Sequence, residues 1–132
     1  MEKKEIKFWL DKDKKLVNPD LFSEVADKWA EKINEMGGYR KNKPSQLRKF
    51  YDEVLLYYNH LKDNKDEFLR MLPYIKLLRA KVYYALGREY ITEEFKDFIE
   101  ECLKQIETWE DFEVFKNFFE AFMGFYRFHN KG

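Results

Sequence analysis

Twenty-five Lys and Arg balance twenty-five Asp and Glu over 132 residues, aromatics make up 19%, and Gly and Pro together number only eight. Such a chain is long enough for one domain with a core that needs neither disulfide nor metal. Its single cysteine, Cys102, excludes an intramolecular disulfide, and no apolar run approaches the ~20 residues that span a bilayer.

Residues 1–17 are mostly Lys, Asp and Glu around Ile6, Phe8, Trp9 and Leu10. They are expected to form a flexible charged arm, frayed or with its apolar patch docked on the body or a partner, and not a secretory signal. The folded body is expected over 18–132. Its first helix is predicted from Asn18 as N-cap and Pro19 at the first helical position, with Phe22, Val25, Ala26, Trp29, Ile33 and Met36 inward and Gly37-Gly38 as the stop.

The connection after it places Arg40, Lys41, Lys43, Arg48 and Lys49 at the start of the next helix. Cations are locally unfavourable there, so the cluster either tolerates a modest penalty or holds an anion together with free N–H groups. That helix carries Leu47, Phe50, Tyr51, Val54, Leu55, Tyr58 and Leu61 as its core stripe and turns Leu56 the other way. His60 reads as a surface imidazole.

Phe68 to Arg88 combines two stripes. At about 100° per residue Phe68, Leu72, Ile75, Leu78, Val82 and Leu86 fall on a buried side, and Arg70, Tyr74, Lys81, Tyr84 and Arg88 on the opposite one. The second stripe is either a solvated face or a surface that tracks phosphates with aromatics between the cations. Pro73 predicts a kink or a helix start.

Thr92 is expected to cap a plain solvated helix burying Phe95, Phe98, Ile99, Cys102, Leu103 and Ile106, with Lys96 and Lys104 both paired to Glu100. Thr108 with Asp111 caps the last helix, whose seam is Phe112, Phe115, Phe119, Phe122 and Tyr126, flanked by Phe118. Phe125 and Phe128 fall off that seam beside Ala121 and Gly124. They form a candidate protein interface unless the helix is buried all round. No stretch alternates long enough to predict a strand, so the expected fold is all-α, a single-domain bundle of about five helices.

The zero net charge hides a segregation. Residues 40–88 carry twelve Lys/Arg against five Asp/Glu, a net of +7, whereas 89–132 carry five against eleven, a net of −6. A ligand senses the field within about a Debye length, ~8 Å at physiological salt, so the middle segment is suited to an anion. Catalytic constellations are missing: the two His and one Cys have no metal-ligand spacing, and no Gly-rich phosphate loop precedes a helix. No enzyme activity, metal or cofactor is expected.

Three segments, KPSQLRKFYDEV (43–54), MLPYIKLLRAKVYYALGR (71–88) and FFEAFMGFYRFH (118–129), resemble in order and spacing the small subunit of type III-A CRISPR effector complexes, the second protein of the Csm set. The resemblance covers most of 19–129, and the middle segment carries it best. It implies a non-catalytic, all-helical subunit of an antiviral complex; the cytoplasmic location expected for the chain comes from its lone cysteine and the missing membrane span. Copies of such a subunit stack along the guide RNA and target RNA, beside the backbone subunits and the large Cas10-type subunit, with no membrane partner. Phosphate contacts that position without reading sequence would serve any guide. On matching motif positions Arg48, Lys49, Lys81 and Arg88 are the first expected RNA contacts, with Lys41, Lys43 and Arg70 outside them. Arg79 ranks lower, nearer the core boundary. Phe125, Phe128 and Leu56 are the expected subunit contacts. The alternative is a helical adaptor binding an acidic protein; a helix-turn-helix DNA reader fits less well, because the cations are spread over two helices and a loop.

Overall fold

The computed structural model describes residues 5–131. Among them the helices are α1 (Ala26–Gly37), α2 (Pro44–Leu61), α3 (Phe68–Lys76), α4 (Leu78–Gly87), α5 (Glu93–Lys104) and α6 (Trp109–His129). Segments α3 and α4 form one run interrupted only at Leu77, which makes five helices and an all-α bundle as expected.

Helix α6 is the centre because its sequence is apolar on more than one side. Phe112, Phe115, Phe118, Phe119, Phe122 and Tyr126 are all buried, and the helix packs on α1 and α2. Phe98 of α5 stacks on Phe122 with ring centroids 4.4 Å apart, and Phe95 and Phe119 complete a four-ring cluster with them. Rings of this size dominate a core, and truncating one to Ala typically costs about 3–5 kcal/mol. The N-terminus of α6 is closed by a full capping box: Thr108 Oγ1 accepts the Asp111 N–H and Asp111 Oδ2 accepts the Thr108 N–H.

Of the arm expected over 1–17, residues 5–17 are described, and residues 1–4 lie outside the described residues. Strands β1 (Trp9–Asp11) and β2 (Leu16–Val17) pair antiparallel as a short hairpin, where no strand was expected. Ile6 and Phe8 are buried, so the apolar patch docks on the body. The Gln105 side chain acts as a strand partner, donating to Ile6 O at 2.8 Å and accepting the Phe8 N–H at 3.0 Å. Asp111 accepts the Trp9 indole N–H at 2.8 Å. These partners satisfy backbone and indole groups that burial would otherwise strand.

The first helix also starts differently. Asn18 Oδ1 accepts the Asp20 N–H in a turn, and a π-helical turn over Leu21–Val25 leads into α1. The extra residue of the π turn shifts the phase, leaving Phe22 37% exposed while Val25, Ala26, Trp29 and Ile33 keep the core. Met36 is also exposed. Pro73 lies inside α3, and the ladder is disturbed one turn later, where the Leu77 N–H is shared between Pro73 O and Tyr74 O.

Asn42 ties the connections together. It is wholly buried at φ +57°, and its amide donates to Ile33 O at 2.9 Å and Thr92 Oγ1 at 2.8 Å while accepting the Thr92 N–H at 2.9 Å. Its own N–H donates to Tyr90 O, and its carbonyl accepts the Tyr126 hydroxyl. Asn42 thereby ties the α1–α2 loop to α1 and the α4–α5 turn through its side chain, and to α6 through its carbonyl.

Candidate nucleic-acid interface

The cations of the basic segment do not share one surface. An open groove of about 370 Å³ runs between α2 and α4, with Lys49, Phe50 and Glu53 on one wall and Lys81, Tyr84 and Ala85 on the other, closed by Tyr90. Residues 46, 49, 50 and 53 share one side of α2, and 80, 81, 84 and 85 one side of α4, by helical spacing. Arg88 stands beside this groove, its guanidinium 5.8 Å from the Tyr90 ring centre and 3.5 Å from the Tyr90 hydroxyl. Lys49, Lys81 and Arg88 are thus brought together, with two tyrosines between them.

Lys81 is not free in the groove. Its ammonium bonds Glu53 at 2.6 Å, with the side chains 44% and 22% exposed. A pair this open to water contributes on the order of 0–1 kcal/mol, so an incoming phosphate can replace the carboxylate at little cost. Glu53 was not among the expected site residues, and its spacing from Lys81 in the sequence gives no local signal of the pairing.

Arg48 lies elsewhere. It pairs with Asp52 at 3.3 Å and lines a separate hollow with Met123, Tyr126 and Arg127. At about 100° per residue, Gln46, Lys49, Phe50 and Glu53 fall within one arc of α2 that faces the groove, and Arg48 lies about 100° outside that arc. Lys41 and Lys43 face a third surface near the start of α2, where Lys41 reaches the exposed Glu89 at 3.7 Å. Arg70 is exposed on α3, across the break at Leu77, and does not line the groove.

Arg79 makes an internal network: it bonds Glu100 and lies over the Tyr83 ring at 4.8 Å, and Tyr83 also donates to Glu100. The Arg79 hydrogen bond outweighs burial and holds the Glu100 carboxyl below its ordinary value. Glu100 therefore serves Arg79 and Lys96, whereas Lys104 pairs with Glu101 and not with Glu100. The side of α5 expected to be solvated is partly covered by this network.

Of the expected subunit contacts, Phe128 is 65% and Leu56 69% exposed. Phe125 is half-buried and packs against the core. Burial pushes the Cys102 thiol well above its ordinary value, which keeps it protonated and unreactive. His60 faces Glu67 and His129 faces Asp27, and among the described residues no three His, Cys, Asp or Glu are grouped to hold a metal. No helix among them is long and apolar enough to cross a membrane.

The fold is an all-α helical bundle with a tyrosine-lined cationic groove on its surface. The family model Csm2 Type III-A matches residues 17–132, and the chain belongs to that family, the small subunit of the type III-A CRISPR (Csm) complex. It is therefore a component that assembles with other Csm subunits. No curated protein and no solved structure matches the chain.

Proposed function

We propose that the chain is the non-catalytic, RNA-binding small subunit of its complex, stacking in several copies along the guide RNA and target RNA and holding their phosphates without reading sequence. The observation that carries this is the convergence of Lys49, Lys81 and Arg88 with Tyr84 and Tyr90 around one open groove, inside the segment of net charge +7. Cations supply attraction to any phosphate backbone, and tyrosine rings tolerate any base. Lys41, Lys43 and Arg70 are outer contacts, and Arg48 is a contact on a different flank. Exposed Phe128 and Leu56, with the half-buried Phe125, supply surface for neighbouring subunits.

A helical adaptor for an acidic protein would use the same cations, so direct RNA binding by the purified chain separates the two. A Lys81→Gln, Arg88→Gln double variant should lose affinity equally for two unrelated RNAs while staying folded. Glutamine is preferred to glutamate at 81 because a carboxylate there would face Glu53. Unchanged binding by the folded double variant would return the groove to an ordinary solvated surface.

A further inference from the structure

Tyr39 is 100% exposed, the most open of the large apolar side chains, and makes no hydrogen bond or ring contact among the described residues. Its loop is nevertheless firmly held. The Lys41 N–H bonds Gly37 O at 3.1 Å, and Asn42 is clamped to three other parts of the fold. A ring presented to water from a fixed backbone forgoes burial yet loses little further entropy on meeting a flat partner.

Concavities of about 610 and 480 Å³ open beside the ring. The larger has Glu93 and Glu94 in its wall as well as Arg40 and Lys41; the smaller has Lys41 and Lys43 without a carboxylate side chain. An anion is therefore favoured on the second side and a neutral plane on the ring itself.

We propose that Tyr39 is a stacking platform for one unpaired nucleobase, with Lys41 and Lys43 holding the flanking phosphates, so that this loop binds single-stranded RNA. The inference rests on the RNA-binding reading above and extends it to a contact zone apart from the α2–α4 groove. Bases inside a duplex have both faces covered, so only an unpaired or terminal base can meet the ring.

The test titrates the full chain with an oligouridylate and with an abasic ribose-phosphate oligomer of equal length, using wild type, Tyr39→Ala and Tyr39→Trp. Tyr39→Ala should weaken oligouridylate binding roughly 5- to 150-fold, the range one stacked base supplies, and leave the abasic oligomer unchanged. Tyr39→Trp should retain affinity, and its added indole emission should be quenched on binding. Equal oligouridylate affinity in wild type and Tyr39→Ala overturns the stacking role and leaves RNA binding standing. Failure of wild type to hold either oligomer, with retention of poly-glutamate, overturns both readings in favour of an acidic-protein partner.

Discussion

Replacing Asn42 with Ala should be the most damaging single polar substitution in the chain. It removes three hydrogen bonds of a wholly buried side chain, leaving the half-buried Thr92 N–H at the start of α5 without its acceptor. A buried group stranded in this way costs about 1–3 kcal/mol. Alanine must also hold φ near +57°, a left-handed conformation that costs a Cβ-bearing residue about 1–2 kcal/mol. Together these give a loss of about 2–5 kcal/mol, or a fall of about 8–20 °C in Tm for a domain of this size. The assay is a pair of thermal and urea melts on wild type, Asn42→Ala and Asn42→Gly. Glycine relieves the backbone cost alone, so its melt should lie between the other two. A Tm for Asn42→Ala within about 3 °C of wild type would refute the clamp and remove the reason for treating the 38–43 loop as fixed.

Phe128→Asp should leave the melting temperature nearly unchanged and weaken incorporation into the assembled complex, because Phe128 is exposed. Phe125→Asp should instead destabilise by about 1–3 kcal/mol, since its half-buried ring packs on the core and a carboxylate there loses water; melts of both variants beside co-purification separate the two roles. Burial pushes the Asp111 carboxyl up, but hydrogen bonds from the Glu107 N–H, the Trp9 indole and the Thr108 N–H, with Lys12 nearby, outweigh it and hold the group below its ordinary 3.8. A depressed carboxylate contributes stability that is present above the unfolded value and is lost as pH falls through the folded one, so wild-type urea stability should drop in acid below about pH 4 and Asp111→Asn should flatten that limb.

Much of the bundle was legible because its signals are local. Thr108 with Asp111 and the Phe112 to Tyr126 seam rest on neighbours within a turn or two of the same helix and lie where the spacing put them, whereas Thr92 holds the N-cap position of α5 without a side-chain cap bond and pairs with Asn42 instead. What escaped depends on distant partners. Ile6, Phe8 and Trp9 look like a frayed patch until Gln105 and Asp111, about a hundred residues away, give their polar groups somewhere to bond. The π turn at Leu21–Val25 shifts Phe22 outward by a single residue of phase, for which the Asn18-Pro19 start signal gives no warning.

The site divides in the same way. The Lys81 and Arg88 stripe was visible as helical spacing, and Arg79 was set apart for its place at the core boundary, where it pairs with Glu100. Lys49 joins the stripe only because α2 faces α4 across the groove, and Glu53 arrives with it. Arg48 carries the same charge one position earlier but falls outside the arc of α2 spanned by Gln46, Lys49, Phe50 and Glu53, and lines another flank. Asn42 had one clue, its tolerance of left-handed backbone between two lysines, but its partners are spread from Ile33 to Tyr126.

The central claim is that the α2–α4 groove holds RNA by its phosphates, and the salt dependence of binding tests it most directly. RNA affinity of wild type and of a Lys49→Gln, Lys81→Gln, Arg88→Gln triple variant should be measured across a series of salt concentrations. Each phosphate contact contributes about 0.7–0.9 to the slope of log K against log salt, so the triple variant should have a slope smaller by about 2–3. A folded triple variant whose slope equals that of wild type would contradict the claim.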